Sequence, residues 1–241
     1  MKLRSCQNGK SKYNRGMAKK GKSKIQLIRF AVQVAFLVAV VYGFNTKQVS
    51  DWMLPAILLA GVFFCGWVCP LGAAQDWCAW LGRKLHLPRL RVPQSVQRYL
   101  QISRYVFYLL LTLGISFALL KGPYQFSRML HGELLSVAAA VMGIFLLAAL
   151  FIDRPFCNYF CTGGARQGLW SVLRFFSIRK DTSRCGGCGQ CSKACPMNID
   201  VAHTDFVRHP NCIGCLTCIS TCRKKALSYG IRSEKKKDEH A

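Results

Sequence analysis

Fourteen cysteines in 241 residues carry the chemistry of this sequence. Near the C-terminus, Cys185, Cys188, Cys191 and Cys195 stand in the spacing C-x2-C-x2-C-x3-C, followed by Pro196. Cys212, Cys215, Cys218 and Cys222 repeat that spacing 27 residues later. Three thiolates this close together wrap three corners of an iron–sulfur cubane, and Gly186, Gly187, Gly189 and Gly214 relieve backbone crowding around it. Zinc prefers paired C-x2-C elements and has no use for a third and fourth cysteine at this spacing, and disulfides are disfavoured in a reducing cytoplasm.

A second system is Cys65 with Cys69 and Cys157 with Cys161. Each pair is C-x3-C at the end of an apolar run, and their neighbourhoods match at an offset of 92 residues. Phe64-Cys65-Gly66-Trp67-Val68-Cys69 aligns with Phe156-Cys157-Asn158-Tyr159-Phe160-Cys161, and Gly72, Ala73 and Gln75 align with Gly164, Ala165 and Gln167. The pattern reads as an internal duplication of two helices followed by C-x3-C. Positions i and i+4 share one helix face. The four thiols could hold a metal or a third cluster, act as two redox dithiols, line a quinone pocket, or simply pack as small hydrophobes. Cys6 and Cys78 read as packing residues.

Four apolar stretches position these cysteines: about 25–44, 52–69, 105–120 (with 100–104 as its interfacial start) and 134–152. A helix rises 1.5 Å per residue, so roughly 20 residues cross a hydrocarbon core of about 30 Å. The fold class expected is a mainly α membrane protein with four transmembrane helices in two duplicated pairs, followed by a small C-terminal α+β two-cluster domain. The expected organisation is a basic arm over 1–24, a four-helix membrane domain over 25–180, the cluster domain over 181–230 and a charged tail over 231–241.

A formal net charge of +24 with 51% hydrophobic residues excludes a disordered basic tail, a secreted disulfide miniprotein and a soluble nucleic-acid binder. The charge follows topology. The arm through Arg29, the segment 70–104 and everything from Asp153 onward hold 31 Lys or Arg; the loops 45–51 and 121–133 hold 3. The positive-inside rule places both termini and the cluster domain in the cytoplasm of a multi-pass protein of the bacterial inner membrane. No small-x-small site follows the first apolar run, so a retained signal anchor is expected. The arm should lie on anionic lipid; only Tyr13 interrupts its charges, which argues against nucleic acid. Trp52 at the outer boundary and Trp67, Trp77, Trp80 and Trp170 at the inner one read as an aromatic belt.

The eight C-terminal cysteines resemble the bacterial two-cluster ferredoxin signature. That resemblance implies one [4Fe–4S] cluster on Cys185, Cys188, Cys191 and Cys222 and another on Cys212, Cys215, Cys218 and Cys195. Cys222 is followed by Arg223, where the signature usually has proline. The whole layout, from about Ile25 to Tyr229, resembles the NapH type of membrane polyferredoxin, with related layouts in the C-terminal part of NosR and in the CcoG/RdxA group. Both motifs of that family are usually C-x3-C-P; Cys69-Pro70 matches, and Cys161-Thr162 departs.

The resemblance implies a quinol dehydrogenase component, with quinone as substrate. Its partners would be a periplasmic reductase such as nitrate reductase and a cytochrome or iron–sulfur subunit. Two other functions fit the residues: a copper reductase or metalloenzyme assembly factor using the four boundary cysteines, and a redox-sensing scaffold. The extra C-terminal domain of the CcoG group and the large N-terminal domain of NosR are not seen in this sequence, which favours the first reading. Lys193, Arg208, Arg223, Lys224 and Lys225 around the ligands suit an acidic redox partner. His131, Glu133 and, more weakly, His86 are the candidates for exchanging quinol protons.

Overall fold

The computed structural model describes residues 24–42, 62–113, 126 and 137–231. Most of the basic arm, the tail after Ile231, most of the second apolar stretch, Trp52, His131 and Glu133 lie outside the described residues. Helix α1 is Lys24–Val41, followed by the π-helical turn Phe64–Val68, α2 (Pro70–Lys84), α3 (Gln94–Thr112), α4 (Val137–Ala148), α5 (Pro155–Tyr159) and α6 (Thr162–Ser171). The C-terminal unit holds β1 (Phe176–Lys180), α7 (Gln190–Lys193), α8 (Thr217–Thr221) and β2 (Leu227–Ile231).

Among the described residues, α1 is the one helix long and apolar enough to cross a membrane, and Ala139–Ala148 is a shorter apolar helix. Helix α3 starts well before the apolar stretch expected from about 105, and residues 100–104, expected as its interfacial start, lie inside it. Helix α1 has inverted burial. Its inward residues include Arg29 and Gln33, while Leu27, Ile28, Phe30 and Val38 face outward. Helix α3 repeats this, burying Gln97, Gln101 and Arg104 and exposing Val96, Leu100, Ile102, Val106 and Leu109. A helix packed in a water-soluble core shows the opposite arrangement.

The C-x3-C motifs are not continuous helical faces, as i, i+4 spacing suggested. Cys65 lies in the π-helical turn and Cys69 is already extended (φ −63°, ψ 119°), capping α2. The following Pro70 disfavours helical backbone at Cys69 and suits the first helical position after it. In the second copy Cys157 lies in α5, and Cys161 is extended (φ −69°, ψ 107°), capping α6. The turn is thus the same without proline. Cys161 Sγ accepts a hydrogen bond from the Gly164 amide at 3.3 Å, which satisfies one free donor of the new helix.

In the C-terminal unit, β1 and β2 pair antiparallel from Phe176↔Ile231 to Lys180↔Leu227. Strand β1 falls on the N-terminal side of the boundary expected at 180/181. Ile178, Met197, Ile199, Val201, Val207, Ile213 and Leu227 form the core of this unit, and Cys65 of the first motif packs against it. The contact is close at Gly66, where an added Cβ would stand 2.3 Å from the Ile213 carbonyl oxygen. Gly66→Ala is therefore expected to push the C-terminal unit off the first motif. Limited proteolysis should cut the connection at residues 172–175 several-fold faster in the variant; an unchanged rate would remove the role assigned to this contact.

Candidate iron–sulfur and thiol sites

Among the C-terminal cysteines, Cys195 comes together with Cys212, Cys215 and Cys218. Cys195 lies within electrostatic reach of Cys212 and Cys215, and Cys218 within reach of Cys195, Cys212 and Cys215. Burial pushes the Cys195 and Cys218 thiols up, and neighbouring thiols push them further. Loading this set therefore requires that metal binding expel the protons. In the other set, Cys191 neighbours Cys188, and Cys222 Sγ accepts from the Ala226 amide at 3.3 Å. Cys188 is exposed, whereas Cys215 and Cys218 are buried. Gly214 (φ +59°) makes the left-handed turn between Cys212 and Cys215 that a side chain would strain.

The four boundary cysteines also converge. Cys65 is within electrostatic reach of Cys69, Cys157 and Cys161, and Cys157 of Cys69 and Cys161. Burial pushes the Cys157 and Cys161 thiols up. Among the described residues, no three Cys, His, Asp or Glu side chains stand close enough to share one metal ion. The ligand sulfurs of a cubane serve separate irons and lie farther apart, so the donor chemistry of both C-terminal sets and of the boundary set fits such a group.

A buried charge cluster holds the two copies together. Arg154 is 0% exposed; its Nε and Nη2 donate to Asp76 at 2.7 and 2.6 Å and its Nη1 donates to the Cys65 carbonyl at 2.7 Å. Arg29 of α1 also pairs with Asp76, and its Nε donates to the Gly66 carbonyl at 2.8 Å. Gln33 donates to the same carbonyl at 3.1 Å. In the second copy, Arg104 of α3 donates to the Cys157 and Gly164 carbonyls at 3.4 and 2.9 Å, and Gln101 donates to Asn158 Oδ1 at 3.0 Å. These residues were legible only in part. Polar positions 26, 29, 33 and 97, 101, 104 recur at helical spacing, the signature of a polar stripe turned inward.

The C-terminal unit rests on both copies. Trp67 Nε1 donates to the Gly214 carbonyl at 3.0 Å and Gln26 Nε2 donates to the Cys215 carbonyl at 3.1 Å. Trp67 is thus a docking residue as well as a candidate for the aromatic belt. On the other side, Gln101 donates to the Met197 carbonyl at 3.4 Å and Gln94 to the Asn198 carbonyl at 3.0 Å. Lys193, Arg208, Arg223, Lys224 and Lys225 are all exposed, and so is His86, in the turn after α2 with φ 56°.

This arrangement defines an iron–sulfur protein of the ferredoxin type. The 4Fe-4S binding domain family matches residues 52–88 and 135–180, which contain the two C-x3-C motifs, and the 4Fe-4S dicluster domain family matches 177–223. YccM of Escherichia coli is 33% identical over 217 residues, covering 78% of this chain and 59% of YccM. Protein MJ0750 of Methanocaldococcus jannaschii is 33% identical over 187 residues, covering 74% of this chain and 76% of the relative. The ferredoxin-type protein NapH of Haemophilus influenzae is 29% identical over 196 residues, 73% of this chain and 64% of NapH. The chain belongs to this family of ferredoxin-type electron transport proteins, to which NapH and NosR also belong. No solved structure is significantly similar to it.

Burial raises the Asp76 carboxyl, but Arg154, Arg29 and the hydrogen bonds outweigh it and hold the group below its ordinary value. Its stabilising effect is therefore complete above about pH 4, the unfolded carboxylate range, and fades as pH falls through the lower folded value. Asp76→Asn leaves two buried guanidinium groups without a carboxylate. It should cost about 3–5 kcal/mol, read as a lower unfolding temperature in detergent at pH 7, with the gap to the parent narrowing in acid. Equal stability at pH 7 would show that the cluster does not hold the copies together.

Proposed function

We propose that the protein is a membrane-bound iron–sulfur electron-transfer subunit of a quinol dehydrogenase assembly. It would pass electrons between the quinone pool and a partner reductase on the periplasmic side, of which nitrate reductase is the example supplied by the NapH resemblance. One observation carries this reading. The loop holding Cys212 and Cys215 sits directly on the first C-x3-C motif, through Gly66, Trp67 and Gln26.

The inverted burial of α1 and α3 supports the bilayer as their surroundings, with the four expected stretches spanning it and the basic side in the cytoplasm. Cys185, Cys188, Cys191 and Cys222 would hold one [4Fe–4S] cluster, Cys212, Cys215, Cys218 and Cys195 a second, and Cys65, Cys69, Cys157 and Cys161 a third redox centre. A cluster at each place would supply a one-electron store. Oxidation of one quinol to quinone releases two electrons and two protons, and three such places are enough to separate the pair. His131 and Glu133 remain the candidates for the protons.

The chain's own residues set the order. Cys65 of the boundary set packs against the unit whose Cys215 is buried, and the exposed Cys188 marks the outer end, where Arg223, Lys224 and Lys225 would steer an acidic partner. Protein purified anaerobically should carry about twelve iron atoms per chain, about four for each [4Fe–4S] cluster. Menaquinol should bleach its visible absorbance when a partner subunit is present. Fewer than about four irons would remove the two-cluster assignment, and no bleaching would remove the quinol role.

A further inference from the structure

The turn from α6 into β1 has the burial pattern of a chain in apolar surroundings. Leu173 and Phe175 are each 63% exposed, while Arg174 between them is 2% exposed and Ser171 is buried. Water around this turn would favour the reverse. Arg174 Nη2 donates to the Val207 and His209 carbonyls, and Ser171 Oγ donates to the Gly168 carbonyl at 2.8 Å. Leu169, Trp170 and Phe176 continue the exposed side. Ile231, paired with Phe176 across the sheet and also exposed, extends it onto β2. The link between the second motif and the C-terminal unit is thus an apolar ledge.

An exposed apolar patch of this kind marks a contact surface, and three features say what covers it. At the offset of 92 residues, Val172 and Leu173 correspond to Trp80 and Leu81 of α2, and that pair is exposed too. A single partner protein would cover one copy, whereas a bilayer surrounds both. Helix α6 packs beside α3, whose Ile102, Val106 and Leu109 are also turned outward. Finally, residues 162–180 hold four Lys or Arg and no Asp or Glu. Arg166 and Arg179 flank the ledge, a charge pattern that complements anionic headgroups.

We propose that this ledge is seated in the cytoplasmic leaflet of the bilayer, its apolar side chains below the headgroups and Arg166 and Arg179 among the lipid phosphates. The proposal rests on the bilayer as the surroundings of α1 and α3. Amphipathic segments with aromatic and aliphatic residues on one side and basic residues on the other lie in the interface plane in this way. An aromatic belt at Trp80 and Trp170 concerns the helical part alone. The ledge brings the sheet of the C-terminal unit itself, through Phe176 and Ile231, into the bilayer. That unit is then held twice, by the contacts at Gly66 and Trp67 and by lipid, which keeps the ferredoxin cysteines at a fixed distance from the boundary thiols.

The test is photo-crosslinking of the full-length chain in native membranes. The variants are Leu173→p-benzoylphenylalanine, Phe175→p-benzoylphenylalanine and, as a reference on α3, Val106→p-benzoylphenylalanine. Mass spectrometry after irradiation should find phospholipid adducts at all three positions. A lipid adduct at 106, with 173 and 175 joined instead to another protein, to this chain or to nothing, overturns this inference alone. No lipid adduct at any of the three overturns the bilayer placement of α3, and this inference with it. Should the variants at 173 and 175 lose iron, Trp170→Phe gives a second reading. In vesicles of phosphatidylethanolamine and phosphatidylglycerol with brominated acyl chains, the parent should show a bromine-quenched tryptophan component that is lost in Trp170→Phe. Equal bromine quenching in the two proteins overturns the inference.

Discussion

The structure depends on a carboxylate shared by two arginines. Asp76 follows the first C-x3-C motif, Arg154 precedes the second, and Arg29 comes from the first helix. Three segments distant in sequence are therefore held at one point, and the carbonyls of Cys65 and Gly66 are fixed by the same guanidinium groups. Two buried cations on one carboxylate leave a net positive charge next to the boundary thiols. That charge suits a site that must lose thiol protons and carry negative charge when loaded. It also places cost and benefit together, since a buried ion pair is worth keeping only where its geometry is satisfied on all sides.

Around that point the duplication becomes a working symmetry. Helix α1 turns Arg29 and Gln33 onto the first motif, and α3 turns Gln101 and Arg104 onto the second. The C-terminal unit then bridges the pair, with Gly214 and Cys215 over one copy and the segment after Cys195 held by α3, which grips the other. Cysteines at 195 and 215, which the ferredoxin pattern assigns to one cluster, thus come to rest against both halves of the helical part. In the other set Cys188 is left exposed.

Much of this was legible in the sequence because thiol spacing is a local property. C-x2-C-x2-C-x3-C and the repeat at an offset of 92 residues can be read without knowing where the chain goes. The shape of the C-x3-C motifs could not. Equal i, i+4 spacing suggested one helical face, and the proline after Cys69 was the hint that the helix ends there. Cys161 makes the same break with Thr162 after it, because its sulfur caps the next helix. Asp76 and Arg154 are partners across 78 residues of sequence, and no local pattern announces which charge meets which. Trp67 illustrates the same limit: its position suggests a membrane belt, and its ring nitrogen is in fact bound to Gly214.

The central claim is that electrons reach the ferredoxin cysteines through the four boundary thiols. The most direct measurement compares two reductants on the full-length double variant Cys65→Ala, Cys157→Ala. Dithionite should still bleach the absorbance of the C-terminal clusters, while menaquinol with the partner subunit should bleach none of it. Menaquinol reduction at the parent rate in that variant would contradict the account.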